Sequence, residues 1–257
     1  MKLAMVQMKV IAGNIEENKV RGLELAKQAA TQADIVVLPE IWTIGYSLKN
    51  IEIAAETLDG ALLGALADLA RKNGVTIVAG SVPLKVDGRI YNSSVVIDKL
   101  GDRVTSYEKV HLFTMYGEER FFAPGNNLNL FELGEFQAGL AICYDLRFPE
   151  LFRSLALKGA QIVILPAEWP SARAAHWHTL VKSRAIENQV YICAVNCVGE
   201  HKGNSFYGHS LLVAPDGEVI SEGSEEEEIV YGDINLAKVI ETRKSMGIFN
   251  DRRPDLY

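Results

Sequence analysis

A chain of 257 residues, 48% hydrophobic and 23% charged, has the composition of a globular protein with enough apolar material for a full core. A formal charge of −7 argues against nucleic-acid and anionic-membrane partners, which call for basic patches. No stretch approaches the roughly 18 apolar residues of a membrane helix, and Met1-Lys2-Leu3-Ala4-Met5-Val6-Gln7 turns polar too soon for a signal-peptide core, so the expectation is one cytoplasmic domain over residues 1–257.

In chain order, residues 3–7 read as the first strand. Asn14 stands as a helix N-cap with Glu17 at capping-box spacing. Ile15, Leu23, Ala26 and Ala30 form one stripe of a helix predicted to end near Ala33. The β-branched run 34–39 reads as a strand buried on both faces. A helix over 58–72 stops at Asn73-Gly74, and strands follow at 75–80, 90–98 and 103–107, with Asp87-Gly88 and Gly101-Asp102 as turns. In the second half, 136–142 is a strand, 149–157 a helix with Gly159 beyond it, and 161–165 another buried strand. A helix over 173–188 leads into strands 190–195, 207–213 and 229–233, with Pro215-Asp216-Gly217 as a turn. The run Ser224-Glu225-Glu226-Glu227-Glu228 reads as a solvated loop without a function. There are three cysteines; on one strand Cys193 and Cys197 lie roughly 13 Å apart, too far to bridge. A reducing compartment follows.

One internal echo stands out. Asp34-Ile-Val-Val-Leu-Pro-Glu40-Ile-Trp42 parallels Gln161-Ile-Val-Ile-Leu-Pro-Ala-Glu168-Trp169. Each places a carboxylate and a tryptophan just past the proline that ends a buried strand, where open α/β sheets put their sites. Two similar halves suggest two stacked sheets with helices outside.

Cys143 is the sharpest candidate for chemistry. It follows a strand and precedes Tyr144-Asp145-Leu146-Arg147-Phe148 and a helix opening with Pro149-Glu150. A tight strand-to-helix turn presents a nucleophile as hydrolase elbows do, and Arg147 with the helix N-terminus would favour its thiolate. A buried structural cysteine is the alternative. Glu40 and Lys109, taken singly, read as ordinary surface groups. Their combination changes the reading.

Leu38-Pro39-Glu40, Glu108-Lys109-Val110-His111-Leu112 and Ile142-Cys143-Tyr144-Asp145-Leu146-Arg147-Phe148-Pro149-Glu150 together resemble the nitrilase, or carbon–nitrogen hydrolase, superfamily. The likeness continues through His176-Trp177, Ser183-Arg184-Ala185-Ile186-Glu187-Asn188-Gln189 and Tyr207-Gly208-His209-Ser210 to the tail Arg253-Pro254-Asp255-Leu256-Tyr257. It implies an α/β fold, a four-layer α-β-β-α sandwich, and a homodimer or larger homo-oligomer built through helices beside the site. It also implies a cofactor-free and metal-free amidase. In that scheme Cys143 is the nucleophile, Glu40 the general base, and Lys109 with the Tyr144 backbone N–H the oxyanion partner. A second glutamate is implied shortly after the lysine; spacing to Gly125 favours Glu118 over its neighbour Glu119. Glu40 beside Trp42 is expected to have a raised pKa.

Within the superfamily the chain looks most like the ω-amidase branch, whose members hydrolyse the distal amide of 2-oxo-dicarboxylic acid monoamides such as 2-oxoglutaramate. The likeness lies in Glu168-Trp169-Pro170, Arg173 and His176-Trp177. Such a substrate presents a carboxylate, and arginine binds carboxylate bidentately. Arg173 is the candidate, or else a surface residue of a helix's first turn, with Trp169 and Tyr46 as pocket walls. Arg147 could also serve, but a pair with Glu150 is the expectation. A deaminated-glutathione amidase, a nitrilase and an N-carbamoyl hydrolase keep the same three residues, and a non-catalytic scaffold on this fold is the alternative from another class. A Cys–His hydrolase would need one of His111, His176, His178, His201 or His209 beside Cys143.

Overall fold

The computed structural model describes residues 1–256; Tyr257, the last residue of the quoted tail motif, lies outside the described residues. The first half contributes strands β1 (Lys2–Gln7), β2 (Ile35–Val37), β3 (Thr76–Val78), β4 (Val82–Val86), β5 (Arg89–Ile97) and β6 (Arg103–Glu108). With them go helices α1 (Ile15–Ala29), α2 (Ile51–Ala54) and α3 (Ala61–Asn73). The second half contributes β7 (Leu130–Leu133), β8 (Phe136–Leu140), α4 (Pro149–Leu157), β9 (Ile162–Pro166), α5 (Ala174–Asn188) and β10 (Tyr191–Val195). It closes with β11 (Val198–His201), β12 (Asn204–Tyr207), β13 (Leu211–Val213), β14 (Val219–Glu222), β15 (Glu228–Asp233) and α6 (Leu236–Ser245).

Two sheets result. One runs β15-β1-β2-β3-β5-β4 with β6 also on β5; the other runs β14-β13-β10-β9-β8-β7. Each has a parallel centre: Leu3 pairs with Ile35 and Ile35 with Thr76 in the first, Ala138 with Ile162 and Ile162 with Tyr191 in the second. The alternation of β1 fixes the layers. Leu3 and Met5 pack with Leu140, Ile162 and Ile164 of the facing sheet, whereas Ala4 and Val6 pack with Leu25, Ala26 and Leu66 of α1 and α3. Helices α4 and α5 cover the outer face of the second sheet through Phe152, Leu155, Trp177 and Val181. The architecture is therefore α-β-β-α.

Several expectations need correction. Asn14 makes no side-chain cap; its amide donates to Glu17 instead. Helix α1 stops at Ala29, and its buried stripe is Asn18, Gly22, Leu25, Ala26 and Ala29, with Leu23 only half-buried. The expected strand 207–213 is broken, because Gly208 (φ +66°) and His209 (φ +47°) both turn left-handed between β12 and β13. The run after Ser224 is tied down rather than merely solvated. Glu227 accepts from the Lys9 backbone N–H and pairs with Arg21, and the Ser224 carbonyl accepts from the Gln7 amide.

Gly80 shapes the strand end that carries Glu40. Its φ is +63°, and a Cβ there would lie 2.1 Å from the Pro39 carbonyl oxygen. Gly80→Ala is expected to cost roughly 2–4 kcal/mol, from left-handed strain plus a backbone clash that nothing flexible can relieve. Urea unfolding checks it through a lowered midpoint at unchanged slope.

Candidate active site

The two echoed segments meet. Glu40, three residues past β2, donates its backbone N–H to the Ala167 carbonyl (3.3 Å), and the Glu168 N–H donates to Glu40 Oε2 (3.0 Å). The Ile41 N–H donates to Ser81 Oγ (2.9 Å), which helps hold this β-branched residue at φ +33°. A branched side chain at positive φ is an outlier that persists only where its surroundings fix it. Lys109 follows β6 and is anchored through its N–H to the Asn92 carbonyl (2.9 Å). Cys143 sits at φ +44°, just past β8, on the tight turn expected of an elbow.

Asp145, fully buried, fixes that turn. One carboxylate oxygen accepts from the Ile142 N–H (2.8 Å) and the Tyr107 hydroxyl (2.8 Å). The other accepts from the His111 N–H (3.1 Å) and meets the His111 ring nitrogen at 2.7 Å. One side chain thus clamps the cysteine turn to the lysine segment. Sequence reasoning missed it, although an aspartate two residues past the nucleophile was the available signal.

At the centre the Lys109 ammonium lies 2.7 Å from Glu40 Oε1 and 2.8 and 2.9 Å from the two Glu118 oxygens, all three side chains being fully buried. Asn92 Nδ2 donates to Glu40 Oε1 (2.9 Å), while Glu118 also accepts from the Tyr46 hydroxyl (2.9 Å) and the Phe113 N–H (2.7 Å). Glu118, not the exposed Glu119, is therefore the second glutamate of the cluster; Glu119 faces Arg120 at the surface. Burial would lower the Lys109 pKa, but the Glu118 and Glu40 carboxylates outweigh it and hold the ammonium charged. Burial pushes the Glu40 carboxyl up against the opposing pull of Lys109. Trp42 has no evident share in that shift. Its indole donates to the Ala79 carbonyl (2.8 Å), and its ring fills the space a Cβ on Gly22 of α1 would need.

The Cys143 thiol and the Glu40 carboxyl lie near enough to shift each other's titration. Burial, followed by the Glu40 charge, pushes its pKa well above the ordinary thiol value. This reverses the expectation of a pre-formed thiolate, since Lys109 opposes the rise without overcoming it. The arrangement holds a thiol beside a base, with an ammonium beyond, and suits nucleophilic acyl transfer.

A narrow cleft opens onto Cys143, walled by Phe113, Tyr144, Trp169 and Pro170, with Glu168, Arg147 and Arg173 also lining it. Trp169 and Arg173 both line the cleft, Arg173 from the N-terminal end of α5. Tyr46 instead lines a neighbouring cleft of about 150 Å³ with Tyr116, His201 and Phe206. Arg147 does not pair with Glu150; it stacks over Trp169 (4.7 Å) and meets His176 Nδ1 at 3.3 Å. Among the described residues neither Arg147 nor Arg173 forms a salt bridge with a carboxylate. The histidines are engaged elsewhere: His111 on Asp145, His176 on Arg147, His178 and His209 on Glu222 (2.8 Å each), and His201 in the neighbouring cleft. The geometry is therefore that of Glu–Lys–Cys, not Cys–His.

Comparison with known proteins agrees with this geometry. The family model described as carbon–nitrogen hydrolase matches residues 2–244. The chain is 39% identical over 255 residues to the 2-oxoglutaramate amidase of Bacillus subtilis (strain 168), covering 99% of this chain and 98% of the relative. It is 34% identical over 266 residues to the omega-amidase NIT2 of Homo sapiens, covering 100% and 96%. Among solved structures, XC1258 from Xanthomonas campestris is a CN-hydrolase superfamily protein with an arsenic adduct in its active site. It superposes with a TM-score of 0.91 at 30% identity, covering 98% of this chain and 97% of that one.

Proposed function

Because the chain belongs to the carbon–nitrogen hydrolase family, we propose that it is an ω-amidase that hydrolyses 2-oxo-dicarboxylic acid monoamides, 2-oxoglutaramate foremost, with Cys143 as nucleophile. The observation that carries this reading is the buried Glu40–Lys109–Glu118 cluster beside Cys143, at the base of a cleft lined by two arginines without carboxylate partners. The paired guanidiniums suit the substrate's far carboxylate. Full-length similarity to the Bacillus and human enzymes supports the substrate class.

Since the resting group is a thiol, Glu40 must take the proton as sulfur bonds to the amide carbon. The carbonyl oxygen gains negative charge and is held by the Lys109 ammonium and the Tyr144 N–H. Glu118 and Tyr46 position Lys109. Collapse breaks the C–N bond, Glu40 returns its proton to nitrogen, and ammonia leaves a thioester on Cys143. Glu40 then removes a proton from water; hydroxide attacks the thioester and the thiol departs carrying that proton. Amide and water become acid and ammonia, with the enzyme restored. No cofactor enters the balance.

We also read the protein as a cytoplasmic homodimer. Three free buried cysteines suit a reducing compartment, and Ile186 on α5 and Ile240 on α6 expose apolar side chains beside the site's helices. No helix among the described residues is long and apolar enough to cross a membrane.

The test is ammonia release from 2-oxoglutaramate by the wild type and Cys143→Ala. Turnover that vanishes in the variant is expected. A wild type that ignores 2-oxoglutaramate but cleaves deaminated glutathione or a simple aliphatic amide moves the assignment within the family. A Cys143→Ala variant that keeps the rate removes the nucleophile assignment altogether.

A further inference from the structure

Glu168 is the second acidic residue of the internal echo, and the acyl-transfer scheme makes no use of its side chain. It is 1% exposed, and neither carboxyl oxygen has a side-chain partner; the Tyr46 backbone N–H approaches the carboxyl without completing a well-formed hydrogen bond. Buried polar groups are ordinarily paired, so an unpaired carboxyl at a cleft wall asks for a partner that arrives from outside. Its backbone is fixed, because the Glu168 N–H is committed to Glu40 Oε2 (3.0 Å). Its side chain lines the same cleft as Cys143, Arg147 and Arg173.

The protonation state follows from the surroundings. Burial, then the Glu40 charge, pushes the Glu168 carboxyl well above the usual carboxylate range. The Tyr46 backbone opposes the rise and Glu118 adds to it, while Lys109, committed to Glu40 and Glu118, pulls the other way. A neutral carboxyl carries one O–H donor. In a dry cleft that donor selects an acceptor oxygen on the ligand.

A 2-oxo-dicarboxylic acid monoamide offers three such acceptors. The scissile carbonyl belongs to Lys109 and the Tyr144 N–H, and the far carboxylate belongs to the guanidiniums at the cleft. The 2-oxo group lies between them and has no other donor assigned. We infer that Glu168 is a specificity-determining residue whose carboxyl O–H donates to the 2-oxo oxygen of the substrate, an inference that rests on the ω-amidase reading. A site built to hydrogen-bond one oxygen discriminates against the analogue that lacks it, because the buried donor is then left unpaired.

The experiment compares 2-oxoglutaramate with glutaramate, which carries a methylene in place of the 2-oxo carbon, in wild type, Glu168→Gln and Glu168→Leu. Wild type is expected to prefer the oxo substrate in kcat/KM. Glu168→Leu should lose about tenfold more on 2-oxoglutaramate than on glutaramate, whereas Glu168→Gln, whose amide still donates, should keep most of the preference. Equal losses on both amides, as a merely structural role would give, overturn the inference. So does an undiminished preference in the leucine variant. A second measurement does not depend on turnover. Infrared difference spectra at neutral pH should contain a protonated-carboxyl band that is missing from Glu168→Gln and that shifts on adding 2-oxoglutarate but not glutarate. If the wild type fails on 2-oxoglutaramate yet cleaves other amides, the ω-amidase reading falls, and the infrared arm decides Glu168 separately: no band, or a band 2-oxoglutarate leaves unmoved, overturns the role.

Discussion

Lys109→Ala is expected to lower both stability and activity, through different parts of the same contact. The ammonium is the shared cation between Glu40 and Glu118, at 2.7 and 2.8 Å, with no exposure on any of the three side chains. Removing it leaves two carboxylates facing each other out of water, and breaking a buried pair in this way costs about 3–5 kcal/mol. For a chain of this size that corresponds to a fall in Tm of roughly 6–20 °C. Activity should fall by about 10²–10³, the usual loss on deleting one oxyanion donor. The two effects separate in a double variant. Lys109→Ala with Glu118→Gln removes one orphaned charge, so thermal unfolding should recover part of its midpoint while ammonia release stays at the level of the single variant. A Lys109→Ala protein with wild-type turnover would contradict the oxyanion role and reopen the Cys–His alternative.

Glu40→Gln should weigh the other way: a smaller loss of stability than Lys109→Ala and a large loss of rate. Glutamine keeps an oxygen for Lys109 and for Asn92 Nδ2, so those two hydrogen bonds survive, while its NH2 now faces the Glu168 N–H and that bond is lost. What disappears is the proposed base, and general-base removal typically costs about 10²–10⁴ in kcat. The loss should be severe here because the thiol it must deprotonate has a raised pKa. The pH profile carries the sign. Only the ionised Glu40 accepts a proton, and burial raises its pKa, so kcat/KM should fall as pH drops through a value above the ordinary carboxylate range. An acid limb near about pH 4, where an unperturbed glutamate titrates, would contradict the assignment. The residual rate of Glu40→Gln should lose that limb.

The three residues at the centre were legible because each stands just past a strand end in a motif of its own, and the motifs occur in order. The choice between Glu118 and Glu119 was not legible. Neighbours in sequence point opposite ways here, one to Lys109 and the other to Arg120, and only the turn after Phe113 decides which. Asn92 and Tyr107 were invisible for a related reason. They reach the site through the register of β5 and β6, which no local pattern encodes. Among the elements, β4 was missed because Pro83 interrupts its run, which an edge strand tolerates, and β4 is an edge of its sheet. Helix α6 was missed because only Val239 is buried, leaving no apolar stripe to count. Arg147 was misassigned by proximity in sequence: Glu150 is three residues away, but Trp169 offers a ring face.

The crossing of the two echoed strand ends has a consequence beyond geometry. Glu40 comes from one half of the chain, yet its carboxylate is oriented by a backbone N–H of the other; Cys143 comes from the second half, yet Asp145, which shapes its turn, is held by Tyr107 of the first. Neither half carries a working set of groups. Reactivity is thus a property of the finished seam between the sheets, absent from any fragment and from any chain whose halves have not yet closed on each other.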